Sequence, residues 1–90
     1  MKVPRDIVYG VIDGEREYQN TKWDSQHDAD HSIVDWLTFI EFRLNMAKTA
    51  IYKLDTEKAL NEMRVIAALG VACMENCGVV PREQLHEYKT

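Results

Sequence analysis

The sequence predicts an all-α fold, a three-helix bundle built on a long helical hairpin. Two long segments, at about 33–53 and 56–76, each repeat apolar residues at helical spacing. A short turn at residues 54–56 separates them, and Gly78 follows the second segment, where a glycine usually ends a helix. A chain of 90 residues is long enough for one modest core, so we expect one helical domain, 1–90.

A third helix is predicted ahead of the hairpin, from about Pro4 to Lys22. Proline suits the first turn of a helix, whereas glycine weakens a helix interior, so a break near Gly14 is an alternative. Its apolar residues at helical spacing are Ile7, Val8, Val11 and Ile12. After the hairpin, the segment 82–88 predicts a short C-terminal helix.

Composition and charge restrict the classes of partner. The apolar fraction of 46% is that of an ordinary globular protein, and the formal charge of −4 argues against a binder of duplex nucleic acid. No apolar run approaches the roughly eighteen residues of a membrane span, and the N-terminus lacks a signal-peptide core. We therefore expect a cytoplasmic protein without a membrane partner, whose two cysteines, Cys73 and Cys77, are reduced.

The second helix carries two apolar faces. The first is predicted to face the core, with Trp36 at its edge, and consists of Ile33, Leu37, Ile40, Leu44, Ala47 and Ile51. The second lies about a third of a turn or more away and consists of Phe39, Phe42, Met46 and Ala50. Exposed aromatic side chains of this kind indicate a partner subunit, which we favour, or a platform for a ligand.

The third helix is apolar on most of its surface and has a narrow polar stripe. Such a helix must be covered on most sides by neighbouring helices or by another subunit. Glu62 is a charged residue on the apolar side of this helix. Burial of a charged carboxylate requires an ion pair, a subunit contact, a cation or a ligand. The alternative is a pair with Lys58 near the surface. Together, the size of the chain and these apolar faces predict a homo-oligomer, either a dimer, a tetramer or a larger assembly.

The second half of the first helix carries candidate ligand-binding residues. Glu15, Gln19 and Lys22 fall on one face at spacings of four and three, with Tyr18 and Trp23 beside them. A solvated helix with internal pairs explains the same spacing and stays open. In the following loop, His27, Asp28, Asp30 and His31 are possible metal ligands without a recognised ligand spacing. Ser32 with Asp35 predicts a helix N-cap.

One set of residues resembles a known enzyme family. It comprises Glu15-Arg16, Gln19, Lys22-Trp23, the segment from His31 to Trp36, and a helical hairpin that ends in a helix rich in small residues. Over about residues 8–77 the chain is similar to phage and bacterial members of the MazG-like all-α nucleoside triphosphate pyrophosphohydrolases. The resemblance implies helical dimers or tetramers. It also implies Mg²⁺, held by carboxylates from two helices, for splitting a nucleotide into monophosphate and pyrophosphate.

The chain departs from the acidic pattern of that family. Where the family has paired acids and a further acid one turn later, this sequence reads Ile40-Glu41-Phe42-Arg43-Leu44. Where the family has an acid and an aspartate three residues later, it reads Glu62-Met63-Arg64-Val65. The resemblance thus leaves Glu41 and Glu62 as metal-ligand candidates and identifies a phage-type, degenerate member. It assigns no catalytic residue.

The sequence therefore predicts a helical protein that binds a nucleotide or nucleotide-derived signal without hydrolysing it, such as a phage-encoded sequestering protein. Aromatic rings are expected to stack on a base, and basic side chains to meet phosphates. The candidate ligand-binding residues are Glu15, Arg16, Tyr18, Gln19, Lys22, Trp23, Trp36 and Arg43. Two alternatives stay open: a Mg²⁺-dependent nucleotide pyrophosphohydrolase, and a helical protein–protein adaptor.

Overall fold

The computed structural model describes residues 2–23 and 30–84, and these residues form an all-helical bundle without a strand. The helices are α1 (Arg5–Lys22), α2 (Ile33–Tyr52) and α3 (Thr56–Cys77), followed by a 3-10 turn (Arg82–Gln84). The all-α class and the three long helices are thus confirmed, and α1 runs through Gly14 without a break. The remainder of the predicted C-terminal helix, 85–88, lies outside the described residues.

Side-chain caps fix where α2 and α3 begin. The Ser32 hydroxyl accepts from the Asp35 N–H at 3.3 Å, and the Asp35 carboxylate accepts from the Ser32 N–H at 2.9 Å, which forms a capping box. The hydrogen bond from the Ser32 backbone N–H is the main reason that the pKa of Asp35 lies below its ordinary value. At α3, the Asp55 carboxylate accepts from the Lys58 N–H at 3.0 Å. The predicted N-cap at Ser32 is confirmed.

The turn between α2 and α3 depends on one strained residue. Leu54 has a φ of 62°, the left-handed region in which glycine is usually found. Its N–H donates to the Ile51 carbonyl at 3.0 Å, while the Asp55 N–H donates to the Ala50 carbonyl at 2.8 Å. These two bonds form a Schellman motif, which closes the C-terminus of α2 and reverses the chain into α3.

The main core lies between α2 and α3 and uses only part of the predicted core face of α2. Its central cluster consists of Trp36, Val65, Leu69 and Ala72, with Ile40 and Cys73 packed against it. Ala47 and Ala50 are also buried on α2, whereas four large aliphatic residues of the predicted core stripe are exposed. Those exposed residues, hereafter the outer stripe of α2, are Ile33, Leu37, Leu44 and Ile51. The predicted core face is therefore wrong at these four positions and confirmed at Ile40, Ala47 and the edge residue Trp36.

Two properties of the buried face explain this outcome. It lies about 60–90° from the outer stripe on the helix surface, so both faces read as apolar in the sequence. Two alanines on the buried face leave room for α3 to approach closely, and Trp36 contributes a large apolar surface to the core. Leucine and isoleucine are more apolar than alanine, which is why a hydrophobicity pattern alone favours the outer stripe.

Helix α1 is attached to α3 through charged side chains. The Arg16 Nε lies 2.6 Å from the Glu75 Oε1, and the Arg64 Nε lies 2.9 Å from the Glu15 Oε1. Arg16 is buried, as is Gln19 on the same side of α1. The polar stripe of α3 is therefore the surface that meets α1, and several of the larger apolar residues of α1, among them Ile7 and Val11, are exposed.

Two further properties of the fold are the state of its cysteines and the apolar character of its helices. Cys73 and Cys77 are both free thiols, and burial raises the pKa of the Cys73 thiol, which favours its protonated form. Within the described segments, no helix combines the length and apolar character needed to cross a bilayer.

Leu54→Gly is expected to raise the free energy of unfolding by roughly 0.5–1 kcal/mol, because glycine adopts the left-handed conformation without strain at some cost in unfolded-chain entropy. Leu54 is 90% exposed, so its removal sacrifices little packing. Leu54→Ala is the matched control, since it keeps the strain and should not gain stability. Urea unfolding at one fixed protein concentration measures both, and a less stable Leu54→Gly protein would contradict this account of the turn.

Candidate functional site

The three helices enclose a cavity of about 810 Å³ at one end of the core. Helix α1 contributes one wall, α2 and the residue just before its cap contribute a second, and α3 contributes a third. The lining residues are Glu15, Tyr18, Gln19, Lys22, Trp23, His31, Trp36, Phe39, Phe42, Arg43, Asn61, Arg64, Val65 and Leu69. This volume falls within the range of cavities that hold small-molecule ligands.

Seven of the eight predicted ligand-binding residues line this cavity. Four of them come from α1, where spacings of three and four place them along one side of the helix, and Trp23 directly follows α1. The Lys22 ammonium lies over the Tyr18 ring, 5.4 Å from its centroid. The exception is Arg16, which does not line the cavity and instead pairs with Glu75. Because Glu15 pairs with Arg64 of α3 and Gln19 is buried, the alternative of a purely solvated helix face is wrong.

Aromatic side chains form much of the α2 wall. His31, Trp36 and Phe39 meet edge to face in all three pairings, with ring centroids 5.0–5.7 Å apart. Phe42 lies on the same wall and is exposed. Phe39 and Phe42 were assigned above to a partner subunit, but their position in the cavity wall supports the alternative of a ligand platform.

Two ion pairs place guanidinium groups at the cavity. The Arg43 Nη1 donates to the Glu62 Oε1 at 3.0 Å, and Glu62 is only 2% exposed. Arg64 binds both Glu15 and the Asn61 side-chain oxygen. The predicted pairing of Glu62 with Lys58 is thus replaced by a pairing across the hairpin with Arg43. Both arginines are partly exposed, so each guanidinium is held by a carboxylate and is accessible to a ligand.

Two buried donors at this cavity have no acceptor within the described chain. They are the Gln19 Nε2 and the Trp36 Nε1, and their residues are 5% and 2% exposed. Buried donors of this kind are rare, since an unpaired one costs about 1–3 kcal/mol. Both nitrogens have almost no accessible surface, so they mark close packing between the helices and do not themselves open on the cavity.

The two predicted metal ligands do not come together in one chain. Glu41 is exposed on α2, about 160° around the helix from Arg43, whereas Glu62 is buried in its ion pair. Across residues 2–23 and 30–84, no group of three or more His, Cys, Asp or Glu side chains is arranged to hold a metal ion. Within one chain, Glu41 and Glu62 therefore do not share the Mg²⁺ site that the resemblance implies. His27 and Asp28 of the loop lie outside the described residues.

Comparison with known proteins gives no match. No family model, no curated protein and no solved structure matches the chain. The resemblance to MazG-like pyrophosphohydrolases accordingly stays a prediction.

Sequence reasoning missed the contribution of α3 to the site. Asn61 and Arg64 lie on the narrow polar stripe of α3, and that stripe was the available signal, because a polar stripe on an otherwise apolar helix must face water or polar partners. The other lining residues outside the predicted ligand-binding set are His31, Phe39, Phe42, Val65 and Leu69, of which Phe39 and Phe42 belong to the face for which a ligand platform was the alternative. Val65 and Leu69 carry no such signal, since they also belong to the core.

The chemistry of the cavity is that of a binding site for a planar, acceptor-rich anion. Aromatic faces and edges are available on two walls, and Lys22, Arg43 and Arg64 supply positive charge. Both arginines are already neutralised by glutamates, and among the described residues Lys22 has no carboxylate partner. A ligand with one or more anionic groups would therefore balance the local charge and find hydrogen-bond donors.

Arg43→Met is expected to lower the free energy of unfolding by about 3 kcal/mol, because it leaves Glu62 buried without its countercharge. The double variant Arg43→Met/Glu62→Leu should recover most of that loss, since it removes both charges. Lys48→Met, an exposed change of the same type on α2, should stay within about 0.5 kcal/mol of the parent. Urea unfolding measures all three, and an unaffected Arg43→Met protein would refute the structural role of this pair.

Proposed function

We propose that this protein binds a nucleotide or nucleotide-derived signal in the cavity between its three helices and holds it without hydrolysis. The observation that carries the proposal is that one cavity combines aromatic surfaces with three basic side chains. A base stacks on aromatic rings, and a phosphate binds guanidinium and ammonium groups.

The distribution of charge supports an anionic ligand. The chain as a whole carries a formal charge of −4, yet this cavity collects Lys22, Arg43 and Arg64. Basic groups that gather around one cavity of an acidic protein mark a local site, since they do not follow from overall composition. The buried carboxylate of Glu62 anchors the Arg43 guanidinium, and Glu15 anchors that of Arg64 in the same way.

The same ion pairs favour binding over hydrolysis. A carboxylate that activates water must lie within hydrogen-bond reach of that water. The carboxylates of Glu15 and Glu62 are instead each paired with an arginine side chain. The alternative, a Mg²⁺-dependent pyrophosphohydrolase of the MazG-like family, requires carboxylates that can hold a metal. A non-hydrolysing binder fits the role of a sequestering protein, such as one encoded by a phage and acting in the cytoplasm.

The outer stripe of α2 supports the proposal of a homo-oligomer. Leu37 and Leu44 are seven residues apart, and Ile33 and Ile51 continue the stripe at intervals of four and seven. A regular apolar seam of this kind packs against another helix, and exposed residues of α3 such as Leu60 and Met63 offer a further apolar surface. We propose that a second copy of the chain covers the stripe, in a dimer, a tetramer or a larger assembly.

Isothermal titration with mono-, tri- and cyclic nucleotides is expected to show binding of at least one class with one site per cavity. Lys22→Gln should weaken that binding roughly tenfold, because it removes a cation from the wall. Lys48→Gln is the matched control, since this exposed lysine lies on α2 outside the lining residues, and it should bind as the parent does.

Two outcomes of that titration would overturn the proposal in different ways. Absence of binding to every nucleotide in the panel would refute nucleotide binding and favour the protein–protein adaptor. Release of pyrophosphate from a bound triphosphate in the presence of Mg²⁺, measured by a coupled phosphate assay, would instead support the pyrophosphohydrolase. Loss of that turnover in Glu62→Gln would assign the activity to this cavity.

Leu37→Glu is expected to shift the protein toward the monomer, because it places a charge in the apolar seam. Light scattering coupled to size-exclusion chromatography measures the mass, and circular dichroism checks that helicity is retained. Tyr52→Glu, also on α2 and 90% exposed but off the outer stripe, is the control and should keep the parental mass. A parent protein that runs as a monomer at these concentrations would contradict the proposed assembly.

A further inference from the structure

We infer that α1 opens away from the hairpin as one unit and thereby uncovers the cavity, while α2 and α3 stay packed together. The inference rests on the proposed function for its consequence, which is that a ligand reaches the site when α1 opens. Two observations carry it, namely what each helix buries and how α1 is attached.

The contact of α1 with the hairpin is mostly polar. Over Arg5–Lys22 the buried residues are Arg16 and Gln19, and several apolar residues of this helix are exposed, Ile7 among them. The hairpin, in contrast, buries Trp36 of α2 against a cluster of apolar residues of α3. Burial of apolar surface is the dominant favourable term in packing. Separation of α1 from the hairpin therefore costs less free energy than separation of α2 from α3.

The two ion pairs that attach α1 are both open to water on one side. Arg16 is buried, but the side chain of its partner Glu75 is 54% exposed. In the second pair, Glu15 is mostly buried and the side chain of Arg64 is 38% exposed. Ion pairs that water reaches are weak and are screened by salt. The attachment of α1 is therefore weak and depends on ionic strength.

The closed position of α1 also leaves one polar group unpaired. The Gln19 Nε2 is buried and has no acceptor within the described chain. A buried donor in this state costs free energy, because it has lost its hydrogen bonds to water. When α1 separates from the hairpin, water reaches this amide and restores those hydrogen bonds. The cost is present only in the closed position, and it therefore favours opening.

A separated α1 does not keep its helix. It has 18 residues, and most of the stability of such a short helix comes from tertiary packing. Gly10 and Gly14 in its interior lower the helical stability further. Opening therefore exposes the backbone amides of α1 together and removes one wall of the cavity. The lining residues that α1 withdraws are Glu15, Tyr18, Gln19 and Lys22.

Hydrogen exchange of the full chain without ligand, followed amide by amide by NMR, tests this inference. Amides at 15–22 are expected to exchange at least about tenfold faster than amides at 65–72, with similar protection along α1, because one opening exposes them all. Raising NaCl from about 0.1 M to about 1 M should speed exchange at 15–22 relative to 65–72 by roughly threefold. Equal protection of the two segments would overturn the inference and leave the proposed function untouched, because no ligand is present.

Glu75→Gln supplies the decisive variant, because it removes one charge from the α1 contact and lies outside the central core cluster. Exchange at 15–22 is expected to become at least about fivefold faster, while exchange at 65–72 stays as in the parent. Glu17→Gln is the matched control, since it makes the same change at an exposed residue of α1 outside both ion pairs, and it should leave both segments unchanged. Unchanged exchange in Glu75→Gln would overturn the inference, as would an equal rise in both segments.

Discussion

The structure depends on the polar contact between α1 and α3. Arg16 with Glu75, and Arg64 with Glu15, hold these helices together where most small bundles would use apolar side chains. The cavity lies beside this contact. Glu15 and Arg64 of the second pair line it, so one ion pair both joins two helices and forms part of the candidate site.

The hairpin supplies the stable part of the fold. Its core is small, and Trp36, Val65, Leu69 and Ala72 form its centre. Glu62 is buried between the same two helices, and Arg43 compensates its charge. Arg43 therefore both stabilises the hairpin and belongs to the candidate site. A modest core with a long aliphatic stripe left exposed on α2 is the expected state of a chain that gains further stability from a second copy.

Structural features that depend on local periodicity and capping were predicted correctly from the sequence. The bounds of α2, its Ser32 cap and the shared side of Glu15, Gln19 and Lys22 follow from spacing along one helix. Sequence reasoning failed where two helices had to be related to each other. Which of two apolar faces of α2 is buried depends on how closely α3 approaches, and the partner of Glu62 lies nineteen residues away on another helix. No spacing rule within a helix contains that information.

The central claim is that the cavity between the helices binds a nucleotide, and NMR tests it most directly. The chain has two tryptophans, Trp23 and Trp36, and both line the cavity, so two indole N–H signals report on it. During a titration of labelled protein with mono-, tri- and cyclic nucleotides, the account predicts that at least one class shifts these indole signals in a saturable way. A nucleotide that binds by calorimetry and leaves both indole signals in place would contradict the account.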